Sequence, residues 1–425
     1  MHGGIIMDIW RVRGGRRLDG ACFVQGSKNA SLPIIAASII RPARTELHNV
    51  PQLRDVDAAL RILRHLGCTA RQCGNDVYID STGLTESTIP HSLMEEMRSS
   101  VIFMGALIAR CGEARLSLPG GCQLGKRPID LHLAALRQMG VTVTENGGEI
   151  SCRADSLHGA ELTLPFPSVG ATENIMLAAT GAKGETVIRG AAREPEIKAL
   201  QDYLIRLGAR VSGAGSGTVR VSGFAPRGSL SYRVIPDRIV AATLACAVAS
   251  VGGDIVIRGV SGEQFSTVLY FLNRAGCDII TKEHSVRVRC GGRLHPVDEI
   301  STAPYPGFPT DAQPVLMAAL LRAGGRTVIT ENIFENRYRQ VPELCRLGAD
   351  IRVSGRTATV RGVERLQGAA LTAGDLRGGA SMIVAGLGAE GETVISDDGH
   401  VRRGYESLDR RLRSLGADVV LECKR

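Results

Sequence analysis

LIRLGARVSGAGSGTVRVSG, Leu204–Gly223, holds the unit from which the fold is read. Leu204 and Gly208 mark the last turn of an amphipathic helix, with the glycine as its C-terminal cap. The residues that follow alternate and are interrupted by Gly213, Gly215 and Gly217, which reads as two strands joined in a hairpin. The same Leu-x-x-x-Gly signature recurs six times, ending at Gly67, Gly140, Gly208, Gly276, Gly348 and Gly416, 68 to 73 residues apart. A near-constant spacing along the whole chain is the mark of repeated structural units.

The helical face is visible in the neighbouring copies. Val56, Leu60 and Leu63 lie at helical spacing in the first, and Ile129, Leu133 and Leu136 repeat them in the second. A different helix precedes each amphipathic one. The six segments are ASLPIIAASII (30–40), SSVIFMGALIARC (99–111), ATENIMLAATGA (171–182), RIVAATLACAVAS (238–250), AQPVLMAALLRA (312–323) and GGASMIVAGLGA (378–389). They are apolar almost all round, so each must be buried. A short strand follows each one, as in GETVIRG and GRTVITE. The unit reads buried helix, strand, surface helix, strand, strand. One unit cannot bury its helix alone, but three can do so around a common core. The expected architecture is α/β (α+β), a two-domain inside-out α/β barrel of six units, three per domain. The boundaries fall at 28–235 for the first domain and at 1–27 plus 236–425 for a discontinuous second one. A hairpin at about Asp8 to Gln25 is expected to complete the last unit.

Composition narrows the functional classes. The formal charge is +8, from 51 Lys and Arg against 43 Asp and Glu, and it is spread along the chain. With no basic run or arginine-aromatic interleaving, nucleic-acid binding is disfavoured. The eleven cysteines form no CxxC pair, and the nine histidines show no ligand spacing, so no metal is expected. Scattered thiols fit a reducing cytoplasm. The N-terminal MHGGIIMDIWRVRGG has no signal-peptide pattern, and no apolar run would span a bilayer.

One loop carries unusual chemistry. LPGGCQLGKRPIDLH (118–132) places Cys122 among Gly120, Gly121 and Gly125, with Lys126 and Arg127 close behind. Nearby cations favour thiolate or bind an anion beside the sulfur. Read alone, the loop fits a reactive thiol at an anion site, and equally a flexible surface loop with an incidental cysteine. It is not a nucleotide phosphate loop. Gly120, Gly125 and Lys126 match GxxxxGK, but Arg127 stands where the magnesium-holding hydroxyl is needed, and Pro128 follows.

The entrances to the buried helices add polar residues that a core does not require: Lys28 and Asn29, Arg98, Thr172, Asp237 and Arg238, Asp311, and Asp375 with Arg377. Helix N-termini attract anions. Aspartates there are also common caps. Lys28 and Arg98 oppose the helix dipole, at a cost of about 0.3–1 kcal/mol each, which favours a functional reading. AAREPEI (191–197) and FENRYRQ (334–340) read as solvated charge at surface-helix entrances.

Taken together, GSKNASLP, NVPQLRD, LPGGCQLGKRPIDLH, SVGATEN, AAREPEI, PDRI, TAPYPGFPTD, IFENR, DLR and RGYE resemble the UDP-N-acetylglucosamine 1-carboxyvinyltransferase family over nearly the whole chain. The cysteine loop, about 118–129, separates that family from the related shikimate-pathway enolpyruvyl transferase. The resemblance implies two domains of three units that close on substrate. It also implies transfer of the enolpyruvyl group of phosphoenolpyruvate to the 3-hydroxyl of UDP-N-acetylglucosamine with release of phosphate. That reaction is the first committed step of peptidoglycan synthesis.

The resemblance also carries residue roles. Cys122 matches the general acid and the site alkylated by fosfomycin, and Asp311 matches the base. Lys28, Arg127 and Arg403 match the cations that hold phosphoenolpyruvate, with Asn29 beside them. Arg98, Asp130, Leu131, Ser168, Val169 and Ile333 match sugar-nucleotide contacts, and Pro128, Ile129 and Gly170 adjoin them. Arg377 matches an active-site arginine, and Asp375 joins the catalytic set. No cofactor, nucleic acid or membrane partner is implied, and a monomer or weak oligomer is expected. Other readings are a transferase for another acceptor, a low-activity or regulatory paralogue, and a relative of RNA 3′-terminal phosphate cyclases.

The implied chemistry is self-consistent. Protonating the methylene carbon of phosphoenolpyruvate develops positive character at the central carbon, where the sugar hydroxyl attacks. A carboxylate can then accept the hydroxyl proton. The donor must be thiol, so binding of the dianionic substrate is expected to re-protonate Cys122. The sequence departs from the family pattern at Arg54, Val240, Gly378, Gly379 and Arg402. The two glycines are expected to loosen a helix start, and Arg402 to make the local field more positive.

Overall fold

The computed structural model describes residues 7–117, 129–225 and 228–424, apart from the side chains of Arg98 and Lys424. The cysteine loop lies outside the described residues. The chain forms two compact units, one from residues 7–25 with 236–424 and one from the described residues between 26 and 235. Each has its own apolar core.

Within the unit 26–235, the core is built on the helices Lys28–Ala37, Phe103–Cys111 and Val169–Ala179. In the other it is built on Arg238–Val251, Gln313–Ala319 and Leu376–Leu387. These six core helices are buried nearly all round, as their composition requires. Six four-stranded sheets cover them. Helices inside and sheets outside make each unit an inside-out α/β fold.

The signature glycines explain how each surface helix turns into its hairpin. All six have φ between 87° and 113°, a left-handed conformation that L side chains rarely adopt. The paired leucines, Leu63, Leu136, Leu204, Leu272, Leu344 and Leu412, are all buried. In the quoted copy, the helix Pro195–Leu207 ends at Gly208, and Ala209–Ser212 pairs antiparallel with Thr218–Phe224.

Each sheet has a fourth strand, from before a core helix, which the repeat signature does not reveal. Thr88–Ile89, Glu161–Thr163, Glu299–Ser301 and Ala370–Ala373 run parallel to the strand that follows their core helix. Two others pair with a different repeat: Leu230–Arg233 pairs with Arg44–His48, and Leu18–Phe23 with Gly253–Arg258. The N-terminal segment is therefore not a hairpin. Met7–Arg13 sits between Glu392–Asp397 and Asp418–Lys424 and does complete the last sheet. Leu18–Phe23 belongs to the sheet of the fourth unit instead. Backbone pairing to distant strands decided this, and alternation alone cannot specify a partner.

Candidate active site

Four core helices begin with a side-chain cap. The hydroxyls of Ser27 and Ser168 accept from Ala30 and Ala171 N–H. Asp237 Oδ1 accepts from Ile239 and Val240 N–H, and Asp375 Oδ1 from Arg377 and Gly378 N–H. The other two core helices are entered through 3-10 turns, Arg98–Ile102 and Thr310–Ala312. Arg98 and Asp311 lie on those turns. Asp375 thus has a capping duty, whereas the Asp311 carboxylate is engaged by side chains from elsewhere in the unit.

Those side chains are two buried arginines. Arg337 Nη2 donates to Asp311 Oδ1 at 3.2 Å, and Arg377 Nη2 donates to Oδ2 at 3.1 Å. Arg337 also donates to the Thr310 carbonyl through Nε at 3.2 Å and Nη2 at 2.8 Å. Both guanidiniums are almost wholly buried, while the Asp311 side chain is 30% exposed. A carboxylate held this way is oriented on one side and open on the other. Burial pulls the Arg377 pKa down, but Asp311, Tyr405 and Asp237 together outweigh it, and the guanidinium stays charged. Its Nε and Nη1 are buried and make no hydrogen bond of good geometry among the described residues. Unused donors on a buried cation suit an anionic ligand group.

Sequence reading placed Arg337 in a solvated stretch. The structure corrects this, because the Thr310 carbonyl and Asp311 draw it inward. Glu331, also buried, accepts from Ile333 and Phe334 N–H at 2.8 and 3.0 Å and from the Thr310 hydroxyl at 3.0 Å. It sets the loop that carries Ile333. Arg403 lies on the turn Val401–Arg403, which Gln25 steadies by donating to the Gly404 carbonyl and accepting from Glu406 N–H.

In the other unit, Lys28 Nζ donates to the buried Asp55 carboxylate at 2.9 Å, so part of its charge already has a partner. Asn29 follows Lys28 on the first core helix. Asp130 and Leu131 open the helix Asp130–Gln138, just after Ile129, and Val169 and Gly170 open the third core helix behind the Ser168 cap. Asn174 ties these parts together. Its Oδ1 accepts from Gly105 N–H at 2.8 Å, and its Nδ2 donates to the Val101 carbonyl and lies 2.8 Å from His132 Nδ1. Since Gly105 needs an acceptor, the amide orientation is fixed, and the neutral His132 carries its proton on Nε2. Burial pushes His132 down to about 4, opposed by Asp130. Glu194 and Glu196 are buried, against the solvated reading of AAREPEI, and so is Glu173 on the third core helix. Burial first, then Glu196 and Glu194, raise the Glu173 carboxyl well above the ordinary range.

His132 gives a pH prediction. Its folded pKa lies below its unfolded value of 6.5, so the unfolded chain takes the proton first. Its contribution to stability is complete above about pH 6.5 and declines as pH falls toward 4, by up to roughly 3 kcal/mol. The loss of urea midpoint between pH 7.5 and 5 should therefore be smaller in His132→Gln than in the native chain. Equal losses would refute the assignment.

Three of the five departures from the family pattern have local explanations. A Cβ on Gly379 would stand 2.6 Å from Val401 Cγ2 and 3.1 Å from Ala373 Cβ. The glycine permits close packing, and the helix start it was expected to loosen is closed by Asp375. Gly379→Ser should lower stability by about 1–3 kcal/mol through overpacking, seen as a lower denaturant midpoint at unchanged slope. Arg402 lies 3.5 Å from the buried Asp8 carboxylate, which offsets the positive field expected of it. Val240 is plain core.

Comparison with known proteins defines the class. The family model described as EPSP synthase (3-phosphoshikimate 1-carboxyvinyltransferase) matches residues 12–412. Among solved structures, the enolpyruvyl transferase NikO from Streptomyces tendae superposes with a TM-score of 0.87 at 25% identity, covering 99% of this chain and 100% of its own. EPSP synthase from Acinetobacter baumannii gives 0.76 at 21% identity, over 98% and 100%, and supports the fold. Two relatives narrow the class. UDP-N-acetylglucosamine 1-carboxyvinyltransferase 2 of Caldanaerobacter subterraneus subsp. tengcongensis and the UDP-N-acetylglucosamine 1-carboxyvinyltransferase of Geotalea uraniireducens are each 47% identical over 97% of this chain and 99% of their own length. The chain belongs to the UDP-N-acetylglucosamine 1-carboxyvinyltransferase family.

Proposed function

We propose that the chain transfers the enolpyruvyl group of phosphoenolpyruvate to the 3-hydroxyl of UDP-N-acetylglucosamine and releases phosphate. This is the first committed step of peptidoglycan synthesis, carried out in the cytoplasm. The observation that carries it is 47% identity, across essentially the full length of both chains, to relatives named for this reaction. The nearer likeness to these than to NikO, at 25%, favours the sugar nucleotide over another acceptor.

In this reading Lys28, Arg127 and Arg403 bind phosphoenolpyruvate, with Asn29 beside them. Arg98, Pro128, Ile129, Asp130, Leu131, Ser168, Val169, Gly170 and Ile333 bind the sugar nucleotide. Cys122 gives a proton to the methylene carbon, and the 3-hydroxyl adds to the central carbon as Asp311 takes its proton. Losing a proton from the new methyl group then expels phosphate and restores the double bond. The Asp311 geometry supports its role, because two buried arginines fix one side of the carboxylate. Arg377 holds it in place and offers its free donors to the substrate's anionic groups. Asp375 serves the set by capping the helix that carries Arg377. Fosfomycin is expected to alkylate Cys122. The test is phosphate release from phosphoenolpyruvate, which should require UDP-N-acetylglucosamine and stop on fosfomycin treatment. Release with shikimate 3-phosphate in its place would reject the assignment.

A further inference from the structure

RGYE contains one residue to which neither the sequence nor the proposed chemistry gives a role. Tyr405 is fully buried, although its hydroxyl is polar. That hydroxyl lies 2.9 Å from Thr243 Oγ1. Thr243 itself donates to the Ile239 carbonyl at 2.8 Å, one turn back on the fourth core helix. A threonine has one hydroxyl proton, so Thr243 must accept and Tyr405 must donate. The phenol oxygen then has lone pairs to turn toward its other neighbour, the Arg377 guanidinium, which lies beside it. The same guanidinium packs over the Tyr405 ring, its carbon 5.5 Å from the centroid. On its far side it reaches Asp311.

These contacts form one continuous path, hydrogen-bonded as far as Tyr405 and again from Arg377 to Asp311, with the guanidinium packed against Tyr405 between them. It runs from the Ile239 carbonyl through Thr243, Tyr405 and Arg377 to the Asp311 carboxylate. Every member up to Arg377 is buried, so water is a poor substitute for any lost partner. A generic core position would take phenylalanine here, with no hydroxyl to satisfy.

We infer that Tyr405 is a positioning residue, whose hydroxyl, set by Thr243, holds Arg377 in the place from which it orients Asp311. The inference rests on the reading of Asp311 as base. It requires the hydroxyl specifically, because the ring alone would fill the core equally well.

The experiment uses the full chain and the phosphate-release assay. Asp311→Asn comes first; if it retains native turnover, the base assignment has failed and Tyr405 has nothing to position. With that variant inactive, Tyr405→Phe should lower kcat about tenfold and leave KM for UDP-N-acetylglucosamine within twofold. Thr243→Val, which removes the acceptor but keeps the shape, should do the same. Because both break one path, the double variant should be no slower than either single one. Thermal midpoints should stay within a few degrees of native. Native kcat in Tyr405→Phe, or losses that multiply in the double variant, would overturn the inference. So would a fall in thermal midpoint with native kcat, because a purely structural hydroxyl would act that way.

Discussion

Asp311→Asn is expected to reduce kcat by about 10²–10⁴ while UDP-N-acetylglucosamine still binds. The amide has the shape of the carboxylate but a single acceptor oxygen, so it keeps one of the bonds from Arg337 and Arg377 and loses the other. It cannot take a proton from the sugar hydroxyl, nor can it offset the positive charge that grows at the central carbon. Both losses fall in the transition state, so kcat should fall rather than KM rise. The measurements are steady-state phosphate release and calorimetric binding of the sugar nucleotide. A kcat within fivefold of native would show that another group is the base. Loss of binding together with turnover would show that the two arginines had lost their arrangement.

The repeated unit was legible because its signals are local. A left-handed glycine after an amphipathic helix, and a helix apolar on every side, are dictated by backbone sterics and by burial. Gly208 shows the first and the core helix Arg238–Val251 the second. Strand partnership was not legible. Leu18–Phe23 and Met7–Arg13 look alike as alternating segments, yet they enter different sheets.

The candidate site followed a similar division. Asp311 was singled out because its motif resembles that of the family, whereas its residue type alone also fits a helix cap. Arg337, Glu331 and Tyr405 were missed, since a polar residue beside a surface helix is usually solvated. Their burial is created by the Thr310–Ala312 turn and the fourth core helix, far from them in sequence. RGYE and IFENR did hold the signal. An arginine or tyrosine retained in a motif but given no ligand should be suspected of serving another residue.

Cys122 gives the other large effect, and substitutions there separate acid chemistry from mere presence in the loop. Cys122→Ala removes the proton donor, so kcat should fall by about 10²–10⁴ at every pH. Cys122→Asp keeps an acid but changes its range, because a free carboxyl titrates near ~3.9 and a free thiol near ~8.5. Only the protonated form can give the proton. Activity in Cys122→Asp should therefore be partly retained at low pH and fall as pH rises, with the alkaline limb several units below that of the native chain. The same variant should resist fosfomycin, since a carboxylate is a far poorer nucleophile than a thiolate toward an epoxide. Rate profiles from pH 5 to 9, with mass spectrometry after fosfomycin treatment, would read both effects. If Cys122→Asp proves as inactive as Cys122→Ala even at pH 5, the thiol is not the proton donor.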